Sequence, residues 1–246
     1  MELEELLRSG QVDLAVHSAK DLPTGNPPQL DILCVPPRAP VNDVLVSRTG
    51  VTFYDLPLGA RIGTSSLRRQ MQLQAIRPGL QFADIRGNID TRVNKVLAGQ
   101  YDAVVLAQAG LVRAAMTEVR YAAFPVDVLL PAPGQAALAL QGRADDAWLR
   151  EVLAPVNDAA TAGCLAAERR LLELLALDCH MPFAALCEPE QGGYRLRTWL
   201  ADPTTGRSIR TDVAAPTAEQ AVSETITRID AAGGREIISG FCRSGS

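Results

Sequence analysis

Apolar residues recur along this chain with two periods, and stretches of the two kinds alternate. Leu3, Leu6 and Leu7 share one face of a helix predicted over Glu2–Ser9. Short apolar runs predict strands over Val12–His17, Ile32–Val35, Asp43–Ser47, Arg61–Thr64, Leu80–Ile85 and Ala103–Ala107. Helical spacing follows the last three, in stretches running to Ile76, Ala98 and Met116. Strand and helix in turn predict a parallel sheet with covering helices. Gln135–Gln141 is predicted as a further strand.

The texture changes near Asn157. A helix is predicted over Thr161–Leu177, with Leu165, Arg169, Leu172 and Leu175 spaced in threes and fours. Tyr194–Ala201 and Arg207–Val213 predict a hairpin around the turn Asp202-Pro203-Thr204-Thr205-Gly206. A helix follows over Ala218–Ala231, with Thr217 and Gln220 as its capping box. Two proline-rich crossings, Pro36-Pro37-Arg38-Ala39-Pro40 and Leu130-Pro131-Ala132-Pro133-Gly134, bracket the central α/β block. They predict an inserted domain joined by a two-strand hinge, with ligand in the cleft. The expected domains are 1–36 with 134–156, then 37–133, then 157–246.

Composition narrows the class. The 246 residues are 47% hydrophobic and 21% charged, as in ordinary globular proteins. No apolar run approaches a membrane span, and MELEELLRSG is acidic and amphipathic rather than a signal peptide. Five scattered cysteines predict reduced thiols in a cytoplasm, and two histidines give a metal site little support.

Charge is uneven. The chain carries −4, yet the window from Arg61 to Lys95 holds seven basic and two acidic residues, a net +5. A local basic patch in an acidic chain points to a specific anionic ligand rather than to nucleic acid. Gly63-Thr64-Ser65-Ser66 lies between a strand and a helix, where unpaired N–H groups and hydroxyls face outward. Arg68 and Arg69 add guanidinium forks, and Arg86-Gly87-Asn88 repeats the arrangement at the next junction. Either junction alone reads as a capped helix with solvated arginines. Two on successive strands read as an anion site.

Lys20 and Asp21 sit on a loop past a predicted strand's carboxyl end, because Pro23 keeps Leu22 out of a helix. Taken alone, Asp21 reads as a turn residue and His17 as a packed strand histidine. Cys179 lies on a loop defined by Pro182, where a thiol serves either as inert packing or as an attachment point.

Six blocks then stand in one order: VHSAKDLP, GTSSLRRQ, ADIRGNIDTRVNKV, DAVVLAQAGLVR, LLPAPGQAAL and AERRLLELLALDCHMP. Together they resemble the porphobilinogen deaminase (hydroxymethylbilane synthase) family. The resemblance implies two type II periplasmic-binding-protein-like α/β domains and a small α+β C-terminal domain. It implies a cytoplasmic transferase that condenses four porphobilinogen molecules into hydroxymethylbilane with release of ammonia, for haem and other tetrapyrroles. It implies a dipyrromethane cofactor on Cys179, with Asp21 and Lys20 catalytic. Ser18, Thr64, Ser65, Arg68, Arg69, Arg86, Asn88, Arg92, Arg113 and Gln135 are the implied cofactor and substrate contacts. The implied partner is porphobilinogen, with no nucleic acid, no membrane and no metal, and the complete protein is expected as a monomer.

The blocks also depart from the family. MELEELLRSG matches a helix inside the usual first domain, so that domain is expected to lack part of its sheet. Leu177 and Asp178 replace two glycines, Met181-Pro182-Phe183-Ala184 replaces Val-Pro-Ile-Gly, and His180 is unusual. Asp178 would raise the thiol's pKa and oppose attachment. Two further readings stay open: a homologue that only binds carboxylate-rich pyrroles, and a periplasmic-binding-like ligand-binding or regulatory module.

Overall fold

The chain builds three sheets and visits the first of them twice. A computed structural model describes residues 2–177 and 181–244. Helix α1 (Glu2–Arg8) leads into β1 (Ala15–Ser18), a one-turn 3-10 segment (Ala19–Asp21) and β2 (Leu30–Cys34). The first crossing then carries the chain into a second sheet, built from β3 (Asp43–Ser47), β4 (Arg61–Gly63), β5 (Gln81–Ala83), β6 (Ala103–Ala107) and β7 (Ala122–Ala123). Its helices are α2 (Leu67–Ile76), α3 (Ile89–Leu97) and α4 (Gln108–Arg113). The second crossing returns to the first sheet as β8 (Leu138–Arg143), followed by α5 (Ala147–Leu153). Helix α6 (Ala159–Leu175) opens the remainder: β9 (Phe183–Glu190), β10 (Gly193–Ala201), β11 (Ser208–Ala215), α7 (Ala218–Ala231) and α8 (Gly234–Ser244).

The second sheet has the order β5-β4-β6-β3-β7. Strand β4 runs parallel to β5 and β6, but β3 runs antiparallel to β6 and β7. The purely parallel sheet expected from the sequence is thus corrected to a mixed one. A parallel neighbour needs a crossover connection, and the link from β3 to β4 holds only a 3-10 turn (Phe53–Asp55), so β3 runs opposite to β4 and β6. The first sheet repeats this device with β8 antiparallel between β1 and β2. The result is a pair of α/β units, each with a mixed or antiparallel sheet. Among the described residues the first sheet has three strands, and Val16 on β1 stands 60% exposed. The third sheet, β11-β10-β9, is wholly antiparallel.

Helix α6 serves two cores. Leu165 packs with Ala19, Val35, Ala137 and Ala139 of the first sheet and its loops. Leu171 and Leu175 join Phe183, Leu196 and Ile229 in the third sheet's core. The other face of that sheet sets Trp199 and Leu186 against Leu130, Met71 and Val126. The three sheets therefore meet around α6 and the two crossings.

One buried ion pair fastens that meeting point. Arg38, on the first crossing, forms a bidentate pair with Glu168 of α6 at 2.7 and 2.9 Å. Glu168 also accepts from the N–H groups of Gly134 (2.6 Å) and Cys187 (2.8 Å). A charge out of water persists only when its lone pairs are filled, as here. Gly134 has φ +71°, and an added Cβ would lie 3.0 Å from Ala19 C and Lys20 N. Only glycine lets the second crossing approach the Lys20 turn so closely.

Candidate active site

The loops after β1, β4 and β5 converge on one crevice. Its first recess, ≈ 430 Å³, is lined by Lys20, Ser65, Arg68, Arg69 and Arg92 on the polar side and by Leu172, Leu177 and Met181 opposite. A second recess, ≈ 670 Å³, shares Lys20 and Arg92 and adds Asp21, Asn88 and Asp90. Lys20 and Arg92 therefore border both spaces. Asp21 shares the second recess with Arg92, while Arg68 and Arg69 border the first.

The basic helix start is more internally engaged than its sequence suggests. Arg68 and Arg69 are 4% and 8% exposed, and both close on Asp43 of β3, which is fully buried. Arg68 Nη2 reaches Asp43 Oδ2 at 2.8 Å, and Arg69 Nη2 reaches Oδ1 at 2.7 Å. Arg68 also donates to the carbonyl of Leu130, and Arg69 to that of Val105. Burial pushes the Asp43 carboxyl up, but the two guanidiniums overturn that and hold it at about 2. Two cations on one carboxylate leave the wall of the recess with net positive charge.

The hydroxyls are engaged as well. Ser66 caps α2 by accepting from Arg69 N. Thr64 is buried, with Oγ1 accepting from Ser66 N. Ser65 Oγ bonds both the carbonyl and the N–H of Ile85. These groups position the α2 start, and Ser65 still borders the recess.

The remaining expected contacts divide into two groups. Arg92, half-buried, donates from Nε to Gly87 O at 2.7 Å and lies in both recesses. Asn88 precedes α3 without a side-chain cap bond and borders the second recess. Arg86 is exposed beside Gly87, and its carbonyl accepts from Lys95 Nζ. Away from the lining, Arg113 donates to Ala136 O at 2.7 Å, and buried Gln135 donates to Val41 O and Asp43 Oδ1. Those two brace the second crossing. Ser18 is half-buried at the end of β1, and His17 Nε2 is buried without a partner among the described residues.

Lys20 is exposed in surface area, yet it stands in a recess dense with protein. Desolvation lowers its pKa, and Arg69 lowers it further. Burial and then Arg69 also lower the pKa of Arg92. The crevice therefore holds cations that depress one another and would gain from an incoming anion. The expected attachment residue Cys179, with Asp178 and His180, lies outside the described residues. Its neighbours Leu177 and Met181 both line the first recess. Sequence reading missed Asp43 and Glu168. Only their places beside glycines and arginines from distant segments mark them, and no local motif does.

The fold and its crevice define an α/β protein whose cleft presents Lys20 and Arg92 at both recesses. The comparisons narrow that class. Residues 1–151 match the family described as porphobilinogen deaminase, dipyromethane cofactor binding domain. The porphobilinogen deaminase of Roseiflexus castenholzii is 46% identical over 210 residues, covering 85% of this chain and 69% of that protein. That of Geobacter sulfurreducens is 40% identical over 240 residues, 97% of this chain and 75% of that one. That of Corynebacterium diphtheriae is 41% identical over 239 residues, 97% and 81% respectively. The chain belongs to the porphobilinogen deaminase family. No helix among the described residues is long and apolar enough to cross a membrane.

Proposed function

We propose that this chain joins four porphobilinogen molecules head to tail into hydroxymethylbilane, releasing ammonia, on a dipyrromethane group held through Cys179. One observation carries the reading: Lys20 and Arg92 border both the recess of Asp21 and the recess lined by Leu177 and Met181, on either side of Cys179 in the sequence. The chain works as a monomer in the cytoplasm, with domains 1–36 plus 134–156, 37–133 and 157–246.

The residues fit an acidic two-ring group. Lys20 and Arg92 border both recesses, and Arg68 and Arg69 share the single carboxylate of Asp43. Lys20 and Arg92 would anchor carboxylates, with Ser65, Arg68, Arg69 and Asn88 beside them and Arg86 at the rim. Ser18, Thr64, Arg113 and Gln135 hold the walls. When bound, the group supplies the terminal pyrrole carbon to which each unit is joined. Asp21 faces the second recess, where its carboxylate stabilises positive charge growing on a pyrrole N–H and takes up or returns a proton at Oδ. The cations orient each acidic ring toward Asp21.

Intact-protein mass after incubation with porphobilinogen tests the reading. A two-pyrrole adduct present in the parent chain and missing from Cys179→Ala supports it. Asp21→Ala should keep the adduct and lose turnover by about 10²-fold or more. Normal turnover in that variant would remove Asp21 from the chemistry.

A further inference from the structure

Arg169 leaves α6 toward the loop that follows Asp21. It is 8% exposed. Its Nη2 donates to Thr24 O at 3.1 Å and to Asn26 Oδ1 at 3.1 Å. Thr24 Oγ1 then donates to Leu177 O at 3.4 Å, across 153 residues of sequence. Leu22, Thr24, Leu172 and Leu177 border the same recess as Lys20 and Arg69. One guanidinium thus ties the end of the Asp21 loop to the helix whose exit begins the Cys179 loop.

The energetics argue against a packing role alone. Burial lowers the Arg169 pKa, with Glu173 acting weakly in the opposite direction. Among the described residues no carboxylate comes within ion-pair distance of it. Its acceptors among the described residues are neutral, and a buried cation so held costs more than an apolar residue of similar size. Its geometry offers what an apolar residue cannot: two directed bonds, one to backbone and one to side chain, on a segment lacking regular structure.

We propose that Arg169 is a positioning residue that fixes the segment after Asp21 against α6 and Leu177. The proposal rests on the reading that Asp21 and Cys179 serve one reaction. It requires nothing from Arg169 in contact with substrate. That placement governs how a tethered ring meets the carboxylate, and misplacement there costs rate rather than affinity.

The test pairs hydrogen exchange with kinetics in Arg169→Ala, Arg169→Lys and Thr24→Val. In Arg169→Ala, amides of residues 22–26 and of Leu177 should exchange about 10-fold faster, with β9 and β10 unchanged. The adduct should remain. The kcat for porphobilinogen should fall about 10- to 100-fold, with KM within about twofold of the parent. Arg169→Lys should recover part of kcat, and Thr24→Val should shift both readouts less in the same direction. Unchanged exchange at 22–26, unchanged kcat, or a loss confined to KM in Arg169→Ala would overturn the proposal. Should Arg169→Ala fail to fold, unchanged exchange at Leu177 in Thr24→Val overturns it instead. A parent chain with neither adduct nor turnover strikes the functional reading, and exchange on that same parent still reports whether the clamp exists.

Discussion

Buried Asp43 accepts from Arg68, Arg69 and Gln135 beside the crevice. Removing its charge in Asp43→Asn leaves Arg68 and Arg69 buried and unpaired, so unfolding stability should drop by about 3–5 kcal/mol in urea titration. The pH dependence has a definite sign. The folded carboxyl titrates at about 2, below its usual value. Its stabilisation is therefore complete above the unfolded pKa near ~4 and is lost as pH falls from there toward 2. Its size is about 2 kcal/mol. Acid melts followed by circular dichroism should show that slope in the parent and not in Asp43→Asn. Lys20 has the opposite sign. Its lowered pKa means ligand affinity falls as pH rises through that value, below the ordinary lysine range. A Kd for porphobilinogen measured against pH should lose this slope in Lys20→Met. At this scale the arginine pair was legible in the sequence, because adjacent guanidiniums at a helix start are a local signal. Asp43, 25 residues from Arg68, sits within an ordinary apolar strand and gives no such signal.

At the scale of elements, caps and turns decide the boundaries. Thr217 accepts from Gln220 N at the start of α7, as its spacing predicts. Thr217→Ala should cost about 1 kcal/mol and lower Tm by a few degrees. Helix α4 ends at Arg113 rather than running through Met116, because Ala115 turns left-handed at φ +51°. The strand β8 begins at Leu138, since residues 134–137 are spent on the crossing and Ala136 has φ +71°. Strand β9 escaped notice: FAALCEPE opens on an apolar run without alternation and carries Pro189 one residue before its end. Its place at the edge of the third sheet tolerates Pro189, and both of its faces are covered at the apolar end. Gly134→Ala should push the Ala19–Lys20 backbone. The expected outcome is a reduced kcat with a cooperative melt retained, because the strain falls on one turn of the crevice.

For the whole molecule, the Arg38–Glu168 pair decides how the crossings sit against α6. Glu168→Gln keeps the shape and removes the charge that Arg38 and two backbone N–H groups address. Stability should fall by about 3 kcal/mol or more, and proteolytic cleavage within residues 36–42 should accelerate as the crossing opens. By itself, the sequence determined what short-range chemistry can determine. It set the alternation of strand and helix, the two proline crossings, the capped helix starts, the local excess of positive charge and the order of six family blocks. Tertiary structure alone decided the sense of β3, the burial of Arg68 and Arg69 on Asp43, and the clasp through Glu168. It also decided which cations stay unneutralised in the crevice. Strand sense and ion pairing depend on segments tens of residues apart reaching the same place, and burial sets the strength of each charge only after they meet.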